Sequence, residues 1–228
     1  MNDHVRDLAS VREATDRLLA ATDKLDNGAV TQPSRLPGWT RGHVLAHLAR
    51  NADAVVNVLA GRPMYASAEV RDADIERDAP RPLAVQLEDL RDSAVRFVET
   101  AAAPAEWSRT VTLRNGVTDS ASRIPFRRLV EVELHHVDLG IGYELEDLPE
   151  EFTGREIEFL ADRFAGNPGV PAIVLTATDG RQWHTGSTEG DPVNVTGTAP
   201  DLLGWLAGRR DGAALDTAGA PLPALPPL

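Results

Sequence analysis

Apolar residues recur at helical spacing through most of the first 145 residues and at shorter, strand-like spacing beyond them. Val5, Leu8, Val11, Leu18, Leu19 and Leu25 mark a first helix over residues 3–25. A loop with Pro33, Pro37 and Gly38 then leads to Thr40, placed as an N-cap before RGHVLAHLARNADAVVNVLAG. Val44, Leu48, Ala52, Val55 and Leu59 form the stripe of this second helix, and Gly61 with Pro63 ends it. Residues 64–79 are charged and read as a connection. Leu83, Leu87, Leu90, Ala94, Phe97, Val98 and Ala101 give a third helix. After Pro104, the stretch WSRTVTLRNGVTDSASR reads as a long loop or a small hairpin turning at Asn115-Gly116. Pro125 suits the first turn of a fourth helix. On it Phe126, Val130, Leu134, Val137 and Ile141 share one stripe, while Glu131, His135 and Asp138 share an adjacent face.

The rhythm then changes to a helix over 155–164, strands over 172–177, 182–185 and 193–196, a helix over 199–208 and a Pro-rich tail. Asp179-Gly180 between two apolar runs signals a hairpin. The predicted class is therefore α+β: a four-helix bundle over residues 1–150, followed by a small α+β domain over 151–228. The tail APLPALPPL reads as an extended cover or a frayed end.

Composition bounds what such a protein does. Its 228 residues are 42% hydrophobic and 25% charged, ordinary for a globular chain, with a net charge of −12. Lys24 is the sole lysine. Nucleic acids and anionic membranes are poor partners for so acidic a chain. There are no cysteines, so thiolate zinc sites and a thiol nucleophile of its own are excluded, and any thiol chemistry must borrow an outside thiol. No run of 18 apolar residues occurs, and residues 1–8 are polar rather than signal-like, which points to the cytoplasm. A monomer is the default expectation.

The candidate chemistry lies on the second and fourth helices. Glu131 and His135 are four apart, so their side chains start one turn from each other and can close on a common ion or proton. Glu133 with His136, three apart on another face, is the rival pair, and His43 with His47 forms an HxxxH lacking the glutamate of a metalloprotease. On pattern alone such a polar face is usually solvated. No G-x-S-x-G surrounds a serine, and neither Gly-rich phosphate motif is present.

LPGWTRGHVLAHLARNAD (36–53) together with RLVEVELHHVDLGIGY (128–143) resembles the mycothiol-dependent maleylpyruvate isomerase family, whose bundle is similar to the DinB-type domain. VTGTAPDLLGWLAGR (195–209) resembles that family's C-terminal region. The resemblance implies a divalent metal, usually zinc, held by His47, Glu131 and His135. Two histidines and a carboxylate leave a coordination position open, as in catalytic zinc sites. It also implies mycothiol as the outside thiol, whose thiolate adds to the cis double bond of maleylpyruvate, permits rotation, and leaves to give trans fumarylpyruvate. Arg209 matches a family position proposed to matter for activity, and its fork suits a carboxylate of this small-molecule electrophile; Arg210 is the alternative. Asp138 is placed to orient a ligand histidine, to cap the helix end or to face solvent, and Trp39 reads as a packing residue. Two further readings stay open: a mycothiol S-transferase that conjugates another electrophile, and a non-catalytic ligand-binding protein.

Overall fold

The structure, a computed structural model, describes residues 4–103 and 105–227. The expected helix start at residue 3, together with Pro104 and Leu228, lies outside the described residues. The chain divides into two compact units, Met1–Tyr143 and Glu144–Leu228.

The first unit is built on helices α1 (His4–Thr22), α2 (Arg41–Leu59), α4 (Leu83–Ala102) and α5 (Ile124–Asp138), with α3 (Ala68–Asp78) preceding α4. α1 packs on α4 and α5, and α2 packs on the same two, which closes a four-helix bundle. Its core is apolar at the centre: Val44, Leu48, Ala52, Phe97, Ile124 and Leu18 are almost fully buried. Thr40 caps α2, its hydroxyl accepting from the His43 N–H while the His43 ring accepts from the Thr40 N–H at 3.1 Å. α5 opens with Pro125 in its first turn.

Three departures from the sequence reading have physical causes. Residues 64–79 are not a simple connection. Ser67 accepts from the Val70 N–H at 3.2 Å and starts α3, but within that helix only Ile75 and Asp78 are buried, too few to leave a hydrophobic period. α1 stops at Thr22 rather than residue 25, where the Thr22 hydroxyl bonds back to the Leu18 carbonyl at 2.9 Å and a turn follows. α5 stops at Asp138, because Gly140 has φ +63°, so Ile141 lies beyond the helical stripe. The ambiguous segment before α5 resolves as a hairpin of β1 (Thr110–Thr112) and β2 (Thr118–Ser120). Asn115 and Gly116 both take positive φ between the Arg114 carbonyl and the Val117 N–H that closes the turn, the conformation an Asn-Gly pair favours.

The second unit contains α6 (Glu150–Phe164), β3 (Ile173–Ala177), β4 (Gln182–Thr185), β5 (Val193–Gly197) and α7 (Ala199–Leu206). Its sheet has the order β4-β3-β5, with β4 antiparallel and β5 parallel to β3. Ile173, Leu175 and Ala177 on alternate positions of β3 face inward, where α6 and α7 cover the sheet. α6 begins at Glu150, five residues before the expected start: the acidic Glu150 and Glu151 open it on the exposed side, and Phe152 and Thr153 of the same turn are buried. Among the described residues no helix is long and apolar enough to cross a membrane.

Gly42 marks the tightest approach in the bundle. A Cβ there would sit 2.1 Å from the Ala79 carbonyl oxygen, just past α3, and 2.8 Å from Val30. Gly42→Ala is expected to destabilise the protein by about 1–3 kcal/mol, the usual cost of overpacking, and chemical denaturation measures it.

Candidate metal centre

α5 is held against the start of α2 by its own C-terminal end. The Asp138 carbonyl accepts from the Arg35 N–H at 2.8 Å, and the Arg41 guanidinium reaches the Leu139 and Gly140 carbonyls at 2.9 and 3.1 Å. Orphan carbonyls of one helix are thereby satisfied by the segment that begins the other. This registration brings His47 of α2 opposite Glu131 and His135 of α5.

The three side chains converge on one carboxylate oxygen. Glu131 Oε2 lies 2.9 Å from His47 Nε2 and 3.2 Å from His135 Nε2. The imidazoles meet edge to face, with centroids 4.7 Å apart. One ligand atom from each residue lies within 4.8 Å of the others, a grouping that could hold a metal ion. The outward nitrogens are also occupied. His135 Nδ1 is 2.8 Å from Asp138 Oδ2, and His47 Nδ1 is 3.3 Å from Arg71 Nη2. Both Nε2 atoms are thus turned toward Glu131, and the carboxylate behind His135 is the common partner of a ligand imidazole. The donor set fits a divalent ion in number, type and orientation.

Burial and charge pull these groups in different directions. Desolvation lowers the pKa of His47 and outweighs its bond to Glu131. Desolvation would raise Glu131, but the two histidines overcome it and hold the carboxyl well below its ordinary range. His135 is raised, because its bonds to Asp138 and Glu131 prevail over desolvation.

The rival pair does not join this cluster. Glu133 is buried against Arg17 at 2.5 Å and Tyr143 at 2.9 Å, and the His136 ring stacks on Tyr143 with centroids 4.0 Å apart. His43 turns to Thr40 and, at 3.3 Å, to the exposed Glu76. Trp39 stands 5.5 Å from the His47 ring, walling the histidine as well as packing. Arg209, in the second unit, donates to the Ala207 carbonyl at 2.7 Å. Arg210 is held by Asp201 and Glu146, each at 2.6 Å.

The sequence reading missed Arg71 and Arg128. Arg71 sits on the helix taken as a connection, and the Ser67 cap was the available signal. Arg128, 1% exposed, gives one N–H to Asn51 at 2.8 Å, while its Nη2 has no hydrogen-bond partner. Burial lowers its pKa to about 10 against the pull of Glu131 and Tyr65, so it remains a cation beside the cluster. No periodicity argument marks an arginine on a buried face.

Two family models span the chain. The mycothiol maleylpyruvate isomerase N-terminal domain matches residues 11–140, and the MDMPI C-terminal domain matches residues 147–227. The chain belongs to the mycothiol maleylpyruvate isomerase family. Among solved structures, this family member is similar to the mycothiol-dependent maleylpyruvate isomerase, with 27% identity over 97% of this chain and 96% of that one and a TM-score of 0.87. It is equally similar in fold to a histidine-to-alanine mutant of that isomerase, with 26% identity, the same coverage and a TM-score of 0.87. No curated protein matches the chain significantly. As a mycothiol maleylpyruvate isomerase family member, the chain has the α+β architecture of those structures, a helical part followed by a sheet domain.

A divalent ion held by His135 would compete with protons for the ring. Metal retention should be full above its raised pKa and lost as pH falls through it. Asp138→Asn removes the strongest raising contact, so the midpoint moves to lower pH. Affinity on the high-pH plateau is expected to fall about 10–100-fold, as when a ligand's supporting carboxylate is removed, and metal content after dialysis across a pH series measures both effects.

Proposed function

We propose that this protein is a mycothiol-dependent isomerase that converts maleylpyruvate to fumarylpyruvate, with His47, Glu131 and His135 as ligands of zinc or another divalent metal. The observation that carries the reading is the single Glu131 oxygen flanked by imidazoles from two facing helices. A divalent ion held by these three donors leaves a position for an outside thiol and lowers its pKa, so that a thiolate is present at neutral pH.

The chain's own residues do the rest. The three donors carry one negative charge in total, which leaves a divalent site net positive and favours an anionic thiolate. Asp138 keeps the His135 ring oriented by accepting its Nδ1 proton, whereas the donor-only Arg71 guanidinium can bond His47 Nδ1 only while that nitrogen is unprotonated. Trp39 shields one side of His47 from water. The chain has no cysteine, so the thiol is supplied from outside, and similarity to the mycothiol-dependent isomerase points to mycothiol as that thiol. Isomerisation changes no atom count in the substrate and returns the thiol. Arg209 is assigned to a substrate carboxylate, which its planar fork can hold in two places.

Metal-loaded protein is expected to isomerise maleylpyruvate only when mycothiol is supplied; equal rates without the thiol would remove this reading. Product analysis distinguishes the S-transferase reading, since a transferase consumes thiol stoichiometrically. His47→Ala and Glu131→Ala should each lose bound metal and at least about 100-fold in activity while keeping the helical circular dichroism of the parent. Arg209→Lys keeps the charge but loses the fork, so kcat/KM is expected to drop about 10-fold or more with metal content unchanged.

A further inference from the structure

The bundle unit contains a cleft of about 560 Å³ between the C-terminal end of α2, the segment leading into α3, and the β1–β2 hairpin. Its charged lining residues are Arg62, Arg109 and Arg114, with no acidic residue among them. In a chain of 35 acidic and 23 basic residues, three arginines without one carboxylate run against the composition. Arg109 spends one N–H on the Leu59 carbonyl at 2.5 Å, which fixes its position at the end of α2. Arg62 is tied to Asn57 at 3.1 Å. Among the described residues the exposed Arg114 guanidinium has no hydrogen bond or ion pair.

Tyr65 connects the cleft to the metal centre. It lines the cleft, and the Arg71 guanidinium lies 5.9 Å over its ring. Arg71 in turn contacts His47 at 3.3 Å. The Tyr65 phenol is raised first by burial and then by the Glu131 charge, so the two groups share one electrostatic environment. A chain of two contacts therefore runs from the arginine-lined cleft to a ligand histidine.

We propose that this cleft is a carboxylate-binding subsite of the active site, in which Arg62, Arg109 and Arg114 receive an anionic end of a small dicarboxylate and Tyr65 forms the inner wall. The assignment rests on the isomerase reading for the identity of the substrate, and adds where its charge is received. The cleft volume suits a small organic acid, and guanidinium groups bind carboxylates by charge-assisted, paired hydrogen bonds. Against the negative field of the whole protein, a local positive pocket also steers such an anion to the site.

The test separates this subsite from the reaction. Maleate, titrated calorimetrically into metal-loaded protein without thiol, reports dicarboxylate binding where no turnover occurs. Arg62→Gln/Arg114→Gln is expected to weaken maleate binding about 10-fold or more and to flatten its salt dependence, while Arg91→Gln on α4, which breaks a surface pair with Asp23 just after α1, should leave it unchanged. In turnover assays the double variant should raise KM for the dicarboxylate and leave KM for the thiol unaltered. Maleate affinity that is absent in the parent, or equal in parent and double variant, overturns the subsite. So does a rise in the KM for the thiol alone. A parent protein that binds maleate through these arginines but does not isomerise maleylpyruvate keeps the subsite and rejects the isomerase reading.

Discussion

One carboxylate holds the functional half of the bundle together. Glu131 lies between His47 and His135, and each of those histidines is fixed from behind, by Arg71 and Asp138. The Glu131 side chain is only partly buried, 32% exposed, and it is the point at which α2 and α5 meet. Asp138 serves twice, its side chain orienting His135 and its backbone carbonyl accepting from Arg35. The same residue thus ends the helix, ties it to the neighbouring segment and sets the angle of a metal-ligand candidate.

The contrast between Glu131 and Glu133 shows how environment divides identical groups. They are two residues apart on one helix, yet their acidities move in opposite directions. Burial dominates at Glu133, raising it despite Arg17 and Tyr143, whereas two imidazoles overturn burial at Glu131. Glu131 therefore stays an anion able to ligate a cation, and Glu133 works as a hydrogen-bonded structural group. A negative formal charge overall does not prevent anionic chemistry in such a protein. Its arginines are distributed so that some pair with acids, as Arg50 and Arg81 do with Asp89, while others line a cleft without an acid.

Much of this was legible in the chain. Periodicity located the long helices because each buries a broad stripe, and Asn115-Gly116 and Asp179-Gly180 located the hairpins because few residues tolerate positive φ. α3 was not legible, since a helix that buries one isoleucine and one aspartate carries no apolar period. On α5 the stripe was only partly informative: the helix is buried on several sides, including Arg128, Glu133 and His136, so polar residues do not mark its solvent face.

By itself, the sequence determined the α+β class, the Glu131–His135 spacing and, through two family signatures, the pairing with His47. Spacing alone could not select Glu131 over Glu133, because it says nothing about which face meets another helix; the family resemblance made that choice. Only the tertiary structure shows how the three side chains come together, through the Arg35 and Arg41 contacts that set the register of α2 against α5. The arginine cleft belongs to the same category. Its residues are separated by more than fifty positions, and their common environment exists only once the hairpin folds beside the end of α2.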